Sequence, residues 1–234
     1  MLPILVLWDV DYTLLAADGA GRMLYEVALR ELYGLELPRK LPTFAGRTDS
    51  AISVELLAAA GVTDPLAQLR PFHAFLAERA DDMTSYLRER GRALPGAAKA
   101  LAALAGGQAV QSLLTGNLPE LARVKLSALG LTEHLDLSIG AYGDVSVVRA
   151  DLVDVARRKA AARYGVEFDG RATVLVGDTP SDVEAALSTG ASAVGVATGS
   201  FSAAELGAAG AHAVLPDLTD TDAVVAAIFD AAGI

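Results

Sequence analysis

Short apolar runs alternate with longer amphipathic stretches along most of this 234-residue chain. The short runs fall at 4–8 (ILVLW), 108–114 (QAVQSLL), 135–139 (LDLSI), 172–176 (ATVLV), 192–196 (SAVGV) and 212–215 (HAVL). Their length, their β-branched content and the turn residues that bound them predict buried strands. Helical patterns lie between them at 97–105, 119–129, 150–164, 180–189 and 219–231. Pro119 and Pro180 stand where a first helical turn tolerates proline, and Gly130, Gly165 and Gly190 stand where helices stop. This alternation predicts an α/β fold with a mostly parallel sheet covered on both faces. An all-helical bundle would not contain such short, bounded, β-branched runs.

The segment from about 15 to 91 breaks the alternation. It reads as a helix over 19–33, a loop through Pro38 and Pro42, a helix over 49–60 and a long helix from 64 to 90. Placed directly after the first strand, it predicts a small helical cap (residues 16–91) over a core built from 1–15 and 92–234. Hinges are expected near Ala16–Gly19 and Gly91–Gly96. The net charge of −10 argues against a nucleic-acid backbone as partner. Without cysteine, disulfides and thiolate metal sites are excluded. The apolar start MLPILVLW lacks a basic n-region and is cut by Asp9, too short for a signal peptide or a membrane span. The expectation is a cytoplasmic protein with no membrane partner.

Chemistry concentrates at the strand ends, where parallel sheets bind ligands. The first run ends in Asp9, Asp11 and Thr13, the second in Thr115-Gly116-Asn117, and the fourth in Gly177-Asp178-Thr179-Pro180-Ser181-Asp182. Asp9 and Asp11 lie two residues apart and so share a side of an extended segment. Two charges about 4 Å apart repel by about 4 kcal/mol at an effective dielectric of 20, so a cation or a chemical task is expected there. Asp9 and Asp178, with a backbone carbonyl, offer the oxygen ligands that Mg²⁺ prefers. Asp11 can act as general acid and base. The Thr115 hydroxyl and the amides of Gly116 and Asn117 can receive phosphate oxygens ahead of helix 119–129. The three histidines, His73, His134 and His212, lack ligand spacing.

The motifs DVDYT (9–13), LLTGN (113–117) and VGDTPSD (176–182), in that order, resemble those of the haloacid dehalogenase superfamily. With helices between the first two motifs, the chain looks like the phosphoglycolate phosphatase branch. The resemblance implies a Rossmann-like core with a helical cap, a Mg²⁺ cofactor and a small phosphorylated substrate. It further implies that Asp9 forms an aspartyl-phosphate and that Asp11 serves as acid and base while giving its carbonyl to the metal. Asp178 would complete the metal set, with Asp182 and Thr13 supporting it. The family's third motif is usually a lysine, yet none lies in 140–158, and Arg149 occupies the expected place. A guanidinium can bridge a carboxylate and a phosphate. In the cap, Arg47 is a candidate for reaching an anionic substrate, with a surface pairing to Asp49 as its bland alternative.

Sister activities of that superfamily each imply something different here. A dehalogenase works without Asp11 as acid and base. A phosphonate-cleaving relative needs a cap lysine, and Lys40 is the cap's only one. A sugar-phosphate mutase usually carries a histidine early in the first cap helix, where this chain has Gly21 and Arg22. Two readings from other classes are a phospho-accepting receiver module, about half this length, and a non-catalytic binding protein of the same fold. A receiver would also place its accepting Asp on the third strand and need a lysine near its end, and the full set of acids argues against the silent binding protein, which leaves phosphomonoester hydrolysis.

Overall fold

The computed structural model describes residues 3–106 and 108–234, so the first two residues of the expected core lie outside it. The chain forms β1 (Ile4–Trp8) and a short β2 (Leu15–Ala16), then α1 (Ala20–Tyr33), α2 (Asp49–Ala59), α3 (Pro65–Glu78) and α4 (Thr84–Arg90). β3 (Arg92–Ala93), α5 (Ala97–Ala103), β4 (Ala109–Leu113), α6 (Pro119–Ala128) and α7 (Asp151–Tyr164) follow. The chain ends with β5 (Thr173–Gly177), α8 (Pro180–Ser188), β6 (Ser192–Val196), α9 (Ala203–Ala208), β7 (Ala213–Leu215) and α10 (Thr221–Ala232).

Five strands make one parallel sheet in the order β4-β1-β5-β6-β7. β1 shows why both faces must be covered. Ile4, Val6 and Trp8 join one buried cluster, with Leu113, Val224 and Ile228, while Leu5 and Leu7 join another, with Leu152, Phe168 and Leu175. A strand apolar on both faces has no side to offer water, and only helices on each side can cover it. Trp8 buries its polar edge as well, since Nε1 donates to Gln111 Oε1 on β4 at 3.2 Å.

Two expectations are corrected. Residues 135–139 do not form a strand. Asp136 N donates to Gln111 O and its carboxylate accepts from Ser138 N, which turns 137–139 into a 3₁₀ segment beside β4. Contact with the sheet resumes only at a single bridge between Leu114 and Ala141. The long helix over 64–90 is two helices, separated at Arg79 (φ −99°) by a 3₁₀ turn over Ala80–Met83. The crossings into and out of the helical insert, at β2 and β3, pair as antiparallel strands. An Arg92–Asp18 ion pair of 2.6 Å ties the same two crossings together. Helix α9, held by a capping box between Ser202 and Glu205, was not foreseen at all.

The insert is joined to the core through α6 and the loop ahead of it. Tyr25 stacks between Phe44 and Phe72, with ring centroids 6.0 Å apart in both pairs. Its hydroxyl donates to Asp49 Oδ1 at 2.6 Å, and Asp49 Oδ2 accepts the Leu118 N–H at 2.8 Å. A buried carboxylate at the N-terminal end of α2 thus fills the open end of α6, where unpaired amides and the positive end of the helix dipole favour an anion. Backbones also touch: Asp49 N donates to Gly116 O, and a Cβ on Gly116 would lie 1.9 Å from Arg47 O. Replacing Asp49 with Ala leaves the Leu118 N–H and the Tyr25 hydroxyl buried without partners. Urea unfolding is expected to show a loss of about 2–4 kcal/mol, and Asp49→Asn, which keeps an acceptor, a smaller one.

Candidate active site

All four acids singled out at the strand ends converge at the carboxyl edge of the sheet. Asp9 continues the register of β1, its N–H donating to Val176 O at 2.9 Å. Asp178 follows β5. Asp182 is in the first turn of α8, where Oδ2 accepts from Thr179 N and Oγ1 in a capping box. One oxygen from each of Asp9, Asp178 and Asp182 falls within 4.8 Å of the others, and all three side chains are buried. Thr13 Oγ1 donates to Asp178 Oδ1 at 3.4 Å.

Arg149, immediately before α7, is buried among these acids. Its Nη2 donates to Asp9 Oδ1 at 2.6 Å and to Leu114 O at 3.3 Å, and its Nε donates to Asp182 Oδ1 at 2.8 Å. Nη2 also lies 2.6 Å from Asp182 Oδ1, so one nitrogen touches both carboxylates and Nε adds a second contact to Asp182. The acids around it hold the guanidinium firmly charged, raising its pKa even though burial alone would lower it. The same burial pushes Asp9 up to about 7 and Asp178 up to about 8. For Asp9, Arg149 works against that rise, while Asp182 and Asp11 add to it.

Asp182 has both oxygens engaged, by Arg149 and by Thr179. Asp9 keeps one oxygen free of hydrogen bonds among the described residues, and Asp178 holds only the long contact to Thr13. Asp9 and Asp178 are therefore the acids able to ligate a divalent cation, with Asp182 steadying Arg149. Gly199 closes the site from the far side, because a Cβ there would stand 1.8 Å from Asp178 Oδ2.

Asp11 has separate surroundings. Lys125 Nζ lies 2.9 Å from Oδ1 and 2.7 Å from Oδ2, and Asn117 Nδ2 donates to Oδ2 at 2.7 Å. Thr115 Oγ1 accepts from both the N–H and the Nδ2 of Asn117. The Asn117 amide is thus turned inward, and Gly116 offers the one unpaired loop N–H among the described residues of 115–118. Lys125 was missed in the sequence, although a signal existed. Asn117, Leu121 and Lys125 recur at intervals of four, which places a lysine on the buried stripe of α6.

Arg47 neither reaches the acids nor pairs with Asp49. It bonds Glu55 at 2.6 Å and the carbonyls of Thr43 and Ala51, while still lining the cavity. That cavity, of about 260 Å³, lies between the acids and the insert. Its outer wall includes Tyr25, Phe44 and Ile52, with Arg22 at the start of α1.

The chain belongs to the haloacid dehalogenase-like hydrolase family, whose model matches residues 6–187. A hydrolase from Pseudomonas syringae is similar in fold at 23% identity, with a TM-score of 0.63 over 93% of this chain and 95% of that one. A predicted phosphatase from Clostridium acetobutylicum has a TM-score of 0.61 at 16% identity, covering 96% and 99%. A candidate β-phosphoglucomutase from Thermotoga maritima has 0.59 at 21%, covering 95% and 98%. No curated protein matches the chain at a significant level. No helix among the described residues is long and apolar enough to cross a membrane.

The raised carboxyls make a thermodynamic prediction. Asp9 and Asp178 bind protons more tightly folded than unfolded, where a carboxyl titrates near 3.8. Their contribution to stability is then complete below about pH 4 and is lost as pH rises through 7 to 8. Chelator-treated protein should melt at a lower temperature at pH 8.5 than at pH 5.5. Millimolar Mg²⁺ should remove most of that slope, and Gly199→Ala, which displaces Asp178, should leave the slope insensitive to Mg²⁺.

Proposed function

We propose that the chain is a Mg²⁺-dependent phosphomonoester hydrolase acting on a small phosphorylated metabolite, of the kind met in the phosphoglycolate phosphatase-like branch. The observation that carries this reading is the separation of the first two acids. Asp9 sits with Arg149 and the buried acid cluster, while Asp11 sits apart on the cavity wall, held by Lys125 and Asn117.

The donor set suits a hard divalent cation, with buried carboxylate oxygens from Asp9 and Asp178 and the Asp11 backbone carbonyl as a third candidate. Bound there, Mg²⁺ would supply charge stabilisation for the transferring phosphoryl group. Asp9 attacks phosphorus, the bond from phosphorus to the ester oxygen breaks, and Asp11 gives that oxygen its proton. Asp11, now ionised, takes a proton from water as the water oxygen attacks the aspartyl-phosphate. The bond to Asp9 breaks, inorganic phosphate leaves, and Asp11 is protonated again.

Arg149 fixes Asp9 and offsets charge that a dianionic phosphate would otherwise meet. Thr115 Oγ1 and the Gly116 N–H are the candidate phosphate donors, with Asn117 acting mainly on Asp11. Arg47, at the cavity rim, is left with a weaker claim on the substrate because Glu55 already engages it. Residues 16–91 would open for substrate and close to exclude water, with the paired crossings at β2 and β3 as the pivot.

Turnover of p-nitrophenyl phosphate should require Mg²⁺, and Asp9→Asn should abolish it with the fold intact by circular dichroism. An Asp9→Asn variant that kept a tenth of wild-type kcat would sink the covalent route. Arg149→Ala is expected to lower kcat/KM by roughly 30- to 1,000-fold, and Arg149→Lys to recover part of that. Arg158, exposed on α7, is the proper control. Arg157 is not, because it bonds Thr173, Thr189 O and Gly170 O.

A further inference from the structure

We infer that Lys125 is a positioning residue for the acid–base carboxylate, orienting Asp11 through a closed ring of contacts with Asn117, which Thr115 anchors. This rests on the phosphatase reading above, in which Asp11 moves the proton. The ring is complete: Thr115 Oγ1 accepts from Asn117 Nδ2 at 2.8 Å, and that same Nδ2 donates to Asp11 Oδ2. Lys125 Nζ donates to both Asp11 oxygens and, at 2.6 Å, to Asn117 Oδ1.

The partners of Nζ decide what kind of role this is. Three oxygens lie within bonding distance of it, two on the Asp11 carboxylate and one on the Asn117 amide that itself bonds Asp11. Every contact of the ammonium thus bears on Asp11, and Lys125 acts through that carboxylate. Its side chain is 6% exposed and that of Asp11 33%, so the lysine is anchored in the protein and the carboxylate it holds faces the cavity. Asp11 also precedes Tyr12, whose φ of 60° marks a tight turn after β1. A catalytic group misplaced by about 1 Å can cost on the order of 100-fold in rate. Anchoring from a rigid helix is what prevents that here.

The test compares two aryl esters of similar shape, phenyl phosphate and 2,4-dinitrophenyl phosphate, through kcat/KM, which reports the first chemical step. The poor leaving group needs the proton from Asp11 and the good one does not. Lys125→Met should lose about 100-fold on phenyl phosphate and less than about threefold on the dinitrophenyl ester. Asp11→Asn should show the same selectivity, and adding Lys125→Met to it should change little. Lys125→Gln, which keeps a donor toward Asp11, should show the pattern at smaller amplitude and carries the test if the Met variant does not fold. Equal losses on both esters, no loss on either, or a loss additive with Asp11→Asn would overturn the proposal. If Asp11→Asn itself shows no leaving-group selectivity, the acid–base reading fails first, and the role of Lys125 falls with it.

Discussion

The contact on which the rest depends is the buried guanidinium of Arg149, shared between Asp9 and Asp182. It ties the end of β1 to the start of α8 and touches the carbonyl of Leu114 beyond β4, so one side chain sets the spacing of three sheet-edge segments. Removing one partner of such a group leaves uncompensated charge in the interior, which typically costs about 3–5 kcal/mol. Even with Arg149 in place, the edge is not neutral. With all four ionised, Asp9, Asp11, Asp178 and Asp182 would set four negative charges against the two cations that pair with them among the described residues, Arg149 and Lys125. Burial first, and the neighbouring carboxylates after it, raise the carboxyl pKa values at Asp9 and Asp178, the two acids with oxygens still free. A divalent cation would match that excess in both sign and size.

The insert adds a second constraint, carried mostly by backbone. Arg47 O presses against Gly116, and the Gly143 carbonyl accepts from both the amide and the hydroxyl of Ser50. These contacts lie on the same loops that present Thr115 and Asn117. In the proposed reading, movement of the insert would therefore also move the loop at 115–117. Asp49 contributes to both by occupying the end of α6 from the insert side, and α6 carries Lys125 on the next turns.

Most of the fold was legible because it depends on local pattern. Runs such as ILVLW and ATVLV can only be buried, and the prolines and glycines that bound the helices mark their ends. The failures came where side chains overrode pattern. LDLSI is apolar enough for a strand, but Asp136 captures Ser138 N and bends the backbone out of the ladder. The acids were legible from their positions after strands, and Arg149 from the absence of a lysine nearby. Lys125 was not, because a lysine in the middle of a helix ordinarily points to water, and only its four-residue spacing from Asn117 and Leu121 marks the buried face. Asp49 was harder still. Its partners, Tyr25 and Leu118, lie 24 and 69 residues away, and no local pattern joins them.

Two carboxylates two residues apart at the end of a strand pose an electrostatic problem, and the structure resolves it by dividing them. Asp9 is turned to a guanidinium supplied from beyond β4 and to the acid cluster around Asp178. Asp11 is turned to an ammonium supplied by α6, on the opposite flank of the cavity. The two cations make different contacts. Arg149 reaches Asp9 through Nη2 and Asp182 through both Nη2 and Nε, and so joins two carboxylates. Lys125 holds both oxygens of one carboxylate and the carbonyl of the amide beside it. The spacing DVD thus serves to place one acid in each of two electrostatic environments within a single strand end.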